Sequence, residues 1–194
     1  MKKLPVWKIC AAAGIVLIAA ALGFLLVRQY TIGENARKSA GYAETIRTLI
    51  PEPQAAMLEE RQDNAMPLLC IDGTDFAALL EFPAFNVAFP VGAAWQGGAA
   101  YPCRYAGSIY DRSLVIGSTN ARGQLDFVKE LRVGDDLWLT DMVGDCYAYE
   151  IADIQYRAHA DNETIYADTS ALTVFVKNMY AFEYIMLRCE AKGA

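Results

Sequence analysis

Histidine occurs once in the 194 residues, and the five cysteines include no CxxC pair. That spacing excludes the usual zinc sites and thioredoxin-like redox pairs, so neither a metal nor a cofactor is expected. Basic residues are scarce beyond the first 28 positions. Four of the 17 lysines and arginines (Lys2, Lys3, Lys8 and Arg28) fall within residues 1–28, which hold none of the 23 acidic residues; the remainder carries 13 basic against 23 acidic groups, a net −10. This balance argues against nucleic acid as a partner and against a polybasic, lipid-hugging surface. Internal repeats and low-complexity segments are also missing.

Charge is absent altogether from Ile9 to Val27, ICAAAGIVLIAAALGFLLV, a run of 19 residues. At about 1.5 Å per residue in a helix, such a run spans a hydrocarbon layer. Lys2, Lys3 and Lys8 precede it and only Arg28 follows directly, so the positive-inside rule predicts a cytoplasmic tail at 1–8, a membrane helix at 9–28 and export of the rest. Trp7 and Tyr30 fall at the two interfaces. A cleaved leader is the competing reading, with Ala19, Ala20 and Ala21 as small residues, but the run continues to Val27, beyond the usual length of a cleavable core. No lipobox precedes Cys10.

Residues 33–49 read as a helix rich in alanine, glutamate and arginine, stopped by Pro51 and Pro53, with a second short helical piece over Gln54–Arg61. Residues 29–74 are thus expected to form a helical stalk or linker that lifts the remaining domain, 75–194, off the bilayer. From about Ala77 the period changes. Ala78–Phe82, Asn86–Val91, Ser113–Gly117, Asp136–Thr140, Cys146–Tyr156, Leu172–Val176 and Tyr184–Glu190 are short strand-like runs. Turn residues separate them, as at Gln96-Gly97-Gly98, Gly134-Asp135 and Val143-Gly144-Asp145. The pattern predicts a mainly β barrel or sandwich with one short helical insert, Gln124–Leu131, whose Leu125, Val128 and Leu131 share a side.

Cys70, Cys103, Cys146 and Cys189 lie far apart. In an exported domain they make either two disulfides, in one of three connectivities, or four small buried residues, and their spacing does not choose among the pairings. Asp135, Asp136 and Asp141 lack the spacing of a calcium loop and read as a solvated face. Asn162-Glu163-Thr164 fits a glycosylation sequon by chance. Trp138, Tyr147 and Tyr149 read as barrel core and surface girdle.

Four ordered pieces carry a resemblance: ALLEFPAFNVAFPV (78–91), YPCRYAGSIYDRSLVIGS (101–118), FVKELRVGDDLWLTD (127–141) and LTVFVKNMYAFEYIMLRCE (172–190). Together they resemble the sortase family, membrane-anchored bacterial cysteine transpeptidases built on an eight-stranded β-barrel. The resemblance implies a cysteine thiolate that attacks a sorting-signal carbonyl, a histidine that shuttles protons and an arginine that holds the oxyanion.

In this chain all three positions differ. The histidine of the AGH-like motif is matched by Ser118, the cysteine ending a TLxTC-like strand by Lys177, and the arginine opening the last strand by Tyr184. No residue is therefore assigned a catalytic role, and the resemblance points to a degenerate member that keeps the scaffold. It implies structural roles for Cys103 and Cys189, and His159 reads as a solvated loop histidine. A Ser118–Lys177 dyad with Tyr184 as oxyanion donor is the enzymatic counter-reading, which needs a neutral lysine in an open groove. The expected function is an anchored extracellular protein that binds a peptide, a pilin subunit or an active sortase. The alternatives are a transpeptidase or peptidase using non-standard residues, or a purely architectural envelope domain.

Overall fold

The computed structural model describes residues 6–57, 63–159, 165, 170–179, 181 and 183–192. A single helix, α1 (Val6–Leu49), runs for 44 residues without a break, where the composition had implied separate membrane and stalk helices. No proline lies within it to remove a ladder N–H, so the apolar half and the polar half share one hydrogen-bonded rod. The helix is long and apolar enough to cross a membrane, and its apolar window is not buried inside the protein.

The last turns of α1 are not free-standing. Ala43, Ile46 and Ile50 are buried against Phe76 and Leu79, and the Tyr42 ring lies 4.9 Å from that of Phe76 and 5.9 Å from that of Tyr101. Arg47 pairs with Glu81 at this seat. Further up, Ala36 rests on Gly123, where a φ of +81° and the lack of a side chain let the helix close in; an added Cβ would collide with the Ala36 methyl.

Gln54 and Ala55, expected in a second helical piece, form instead the short strand β1 (Gln54–Ala55), paired in parallel with Asp145 and Cys146. The prolines at 51 and 53 hold the backbone extended there, and Gln54 N–H donates to the Gly144 carbonyl at 2.9 Å. Residues 58–61 of that expected piece lie outside the described residues.

Nine further strands follow: β2 (Leu69–Ile71), β3 (Thr74–Phe82), β4 (Val87–Gly92), β5 (Cys103–Ala106), β6 (Leu114–Thr119), β7 (Asp136–Asp141), β8 (Asp145–Arg157), β9 (Leu172–Lys177) and β10 (Tyr184–Ala191). Eight of them close into a ring in the order β3-β4-β5-β6-β9-β10-β8-β7, with β7 returning to β3. The expected eight-stranded barrel is thus observed, and β1 and β2 add to it from outside. The β4/β5 and β6/β9 pairs are parallel and the other pairs in the ring antiparallel. Leu80, Phe82, Ile116, Leu137, Leu139, Tyr149, Val174, Val176 and Leu187 fill the interior, each fully buried aliphatic or aromatic chain contributing about 1.5–3 kcal/mol. Tyr147 is buried with Tyr149, while Trp138 stays on the surface, as their patterning implied.

The insert over Gln124–Leu131 is a string of tight turns rather than a helix. Its backbone bonds span three residues, from Gln124 N to Ala121 O, Val128 N to Leu125 O and Glu130 N to Phe127 O. Burial of Leu125, Val128 and Leu131 in the barrel mouth pins the segment in place of an i→i−4 ladder.

Asp141 is also not solvated. It is fully buried and accepts from the Tyr110 hydroxyl at 2.9 Å and from the Val143 and Asp145 N–H groups at 3.0 Å, closing the β7–β8 turn. Cys70, Cys103, Cys146 and Cys189 are free thiols, with Cys103 and Cys189 buried, Cys146 partly so and Cys70 exposed. No two of them are register partners; Cys70 faces Asp75, Cys103 faces Gly117, Cys146 faces Thr140 and Cys189 faces Leu172.

Candidate functional site

Strands β6 and β9 run in parallel and end together. Thr119 is the register partner of Lys177, and Lys177 in turn is the partner of Tyr184 at the start of β10. Because successive side chains on a strand point to opposite faces, register decides which groups can meet. Ser118 pairs with Val176 and so points with it into the barrel core; Lys177 shares its face with Phe175 and Met186, on the outside. Ser118 and Lys177 therefore do not face one another. The serine is buried, and its Oγ donates to Gln124 Oε1 at 3.3 Å and the Thr119 carbonyl at 3.4 Å. The residue that sits beside Lys177 on the outer face is Thr119, which spacing along the sequence had not singled out.

Lys177 and Tyr184 do come together. With His159, Ala158, Asn178, Met179, Ala181 and Glu183 they line a cavity of about 430 Å³ at the end of β9. The lone histidine, read as a solvated loop residue, thus contributes to the wall while remaining exposed.

A polar network holds the cavity floor. Asn178 is buried, donates from Nδ2 to Glu183 Oε1 at 2.7 Å and accepts at Oδ1 from Asn120 Nδ2 at 2.9 Å. Asn120 Oδ1 takes the Met179 N–H at 2.7 Å, and the Asn178 N–H goes to the Glu183 carbonyl at 3.0 Å. Gln124 braces the β6 end from the other side. Its Oε1 accepts from Thr119 Oγ1 at 2.7 Å and Thr119 N at 3.1 Å, and its Nε2 donates to the Ala99 carbonyl at 2.8 Å. A buried amide costs stability unless paired, which is why these three side chains are spent on one another and on strand ends. Two asparagines just beyond two strand-like runs were the sequence signal of this network.

No cysteine is among the described residues lining the cavity. Cys189 projects into the barrel core, where burial pushes its thiol well above the usual range. Burial likewise raises Cys103, whose Sγ donates to the Tyr101 carbonyl at 3.6 Å. Thiolate chemistry needs the opposite shift.

The outer face of β6 and β9 beyond the cavity is covered by aromatic rings. Trp95 lies over Gly117, with its ring 5.4 Å from Phe175 and 5.8 Å from Tyr105. A Cβ at Gly117 would run into both Trp95 and Phe175, so glycine is what lets the indole settle on the sheet. Val115, Ile165 and Met186 complete this patch, and Tyr184 joins it to the cavity. Arg188 is buried beside it, donating to the Ile165 carbonyl and to Thr173 Oγ1, both at 2.9 Å.

Comparison with known proteins finds no matching family model and no matching curated protein sequence. Solved structures do match. Sortase A from Corynebacterium diphtheriae superposes with a TM-score of 0.52 at 12% identity, over 84% of this chain and 85% of that one. The Clostridium perfringens sortase D5 transpeptidase gives 0.52 at 12% identity, over 84% and 95%. Sortase C1 from Streptococcus agalactiae gives 0.53 at 14% identity, over 64% and 72%. At these identities the likeness is one of fold, and the fold is that of the sortases.

Proposed function

We propose that this chain is a membrane-anchored, sortase-fold protein of the cell envelope that binds a peptide, a pilin subunit or an active sortase without passing acyl groups itself. On this reading residues 1–8 lie in the cytoplasm, 9–28 cross the membrane, 29–74 link it to the barrel domain at 75–194, and that domain is extracellular. Ser118, Lys177 and Tyr184 occupy the positions where the resemblance to sortases places histidine, cysteine and arginine.

The observation that carries the proposal is the composition of the cavity at the end of β9, where a lysine stands and no thiol is among the described lining residues. The inward turn of Ser118 supports it further, because a serine bonded to Gln124 inside the barrel has no lysine to activate it. The cavity is of a size that takes a few residues of extended peptide and combines apolar walls with a few polar tips.

The test uses the full chain in lipid nanodiscs, a fluorogenic sorting-signal peptide and an amine acceptor. No turnover above the peptide's own hydrolysis is expected, with or without a thiol-alkylating reagent. Turnover that alkylation abolishes would make the chain a transpeptidase and end the proposal.

A further inference from the structure

The cavity at the end of β9 holds unspent hydrogen-bonding capacity. Among the described residues no hydrogen bond or ion pair engages the Lys177 ammonium, the His159 ring or the Tyr184 hydroxyl, yet all three residues line the same 430 Å³ space. The only carboxylate among the described lining residues is already engaged: Glu183 accepts from Asn178 Nδ2 at 2.7 Å and from Lys129 Nζ at 3.4 Å. Among the described residues one fixed positive charge therefore remains uncompensated in the wall of a domain whose overall charge is negative. Ala158, Met179, Ala181 and the Tyr184 ring supply apolar surface around it.

We infer that this cavity recognises the C-terminal carboxylate of an extended peptide, with Lys177 as its charged contact, Tyr184 and His159 as accompanying polar contacts, and the last side chain against Met179 and Ala181. The inference rests on the reading of the cavity as a peptide site and adds the chemistry of its ligand. A monoanion matches the single unpaired cation. A phosphate does not fit as well, for two reasons. Phosphate sites gather free backbone N–H groups, and here those of Asn178 and Met179 are already given to Glu183 O and Asn120 Oδ1. A dianion would also be repelled more strongly than a monoanion by the Glu183 carboxylate in the same lining.

The experiment follows the Met179 methyl resonance of the full chain, labelled at methionine and held in nanodiscs, while N-acetyl-Leu-Ala is added as the free acid, as its amide, or replaced by inorganic phosphate. Lys177 is exposed and has no partner among the described residues, so Lys177→Met and Lys177→Arg are expected to fold, which the core methyl resonances verify. The free acid is expected to bind about tenfold more tightly than the amide, with the preference erased in Lys177→Met and kept in Lys177→Arg. Equal binding of acid and amide overturns the carboxylate inference and leaves the peptide cavity standing. No shift with either at millimolar concentration overturns both readings, and phosphate that outbinds the acid peptide overturns the choice of carboxylate.

Discussion

The methyl group of Ala36, on the polar half of α1, rests directly on Gly123, in the turn that carries Gln124 to the end of β6. Through Gln124 the contact reaches Thr119, and from Asn120 it reaches Asn178 and Met179 in the cavity wall. Ala36→Leu should therefore loosen more than the helix. Overpacking of this kind costs about 1–3 kcal/mol, and we expect faster amide exchange at Thr119, Asn120, Asn178 and Met179 while Leu187 in the core is unchanged. Unchanged exchange at those four amides, with α1 itself loosened, would show that the helix and the cavity are independent.

Gly117 is where a single methyl should unseat a tryptophan. Gly117→Ala places a Cβ against Trp95 and Phe175. The loop that bears Trp95 can move more cheaply than β9, so the indole is expected to swing into water, with a red shift and weaker tryptophan emission. A loss of about 1–3 kcal/mol should accompany it. Emission that stays blue would mean that Phe175 yields instead.

Among the described residues the buried Asn178 amide has the side chains of Asn120 and Glu183 as partners. Asn178→Ala strands Asn120 and frees Glu183, and each buried polar group left unpaired costs about 1–3 kcal/mol. Unfolding midpoints should fall accordingly. Lys177→Ala, one residue away and exposed, should change them by less than about 0.5 kcal/mol.

The buried thiols predict an alkaline weakness. Burial holds Cys189 protonated in the folded chain beyond the pH at which an ordinary thiol ionises. Below that ordinary value both states keep the proton and stability is unaffected. As pH rises past about 8.5 the unfolded chain loses the proton first, so stability falls by about 1.4 kcal/mol per pH unit for each such group until the folded thiol titrates. Chemical unfolding between pH 8 and 9.5 should show this slope, and Cys189→Ala should reduce it while lowering the baseline through the cavity it leaves. A slope untouched by the substitution would place the titrating group elsewhere, with the raised Cys103 as the next candidate.

The barrel was legible because its strands are short apolar runs punctuated by turn residues, and a period of that kind survives without any knowledge of the site. The facing of side chains was not. LVIGS and LTVFV carry apolar residues on both faces because β6 and β9 are covered on both sides, inside by the core and outside by a patch that includes Trp95 and Ile165. No alternation remained to show that Ser118 turns inward while Lys177 turns out. The polar ending of LTVFVKN, by contrast, has two separate causes: Lys177 meets the cavity, and Asn178 is a buried tie between strand ends. The insert at Gln124–Leu131 shows helical spacing of its apolar residues, yet docking them into the barrel mouth was achieved by turns, a tertiary choice that periodicity cannot see. Asp141 was misread for a similar reason, since one of its carboxylate oxygens is claimed by Tyr110, which is 31 residues away in the chain.

The unbroken course of α1 has a mechanical meaning. A rod of 44 residues is about 66 Å long, and its far third is clamped to the barrel by Ala36, Ala43 and Ile46. If the apolar half crosses a membrane as proposed, then with no swivel between the two halves a lean imposed on it by a thicker or thinner hydrocarbon layer is handed to the barrel as the same angle. The direction in which the β9 cavity opens would then be set by the lipids around the anchor as much as by the barrel itself.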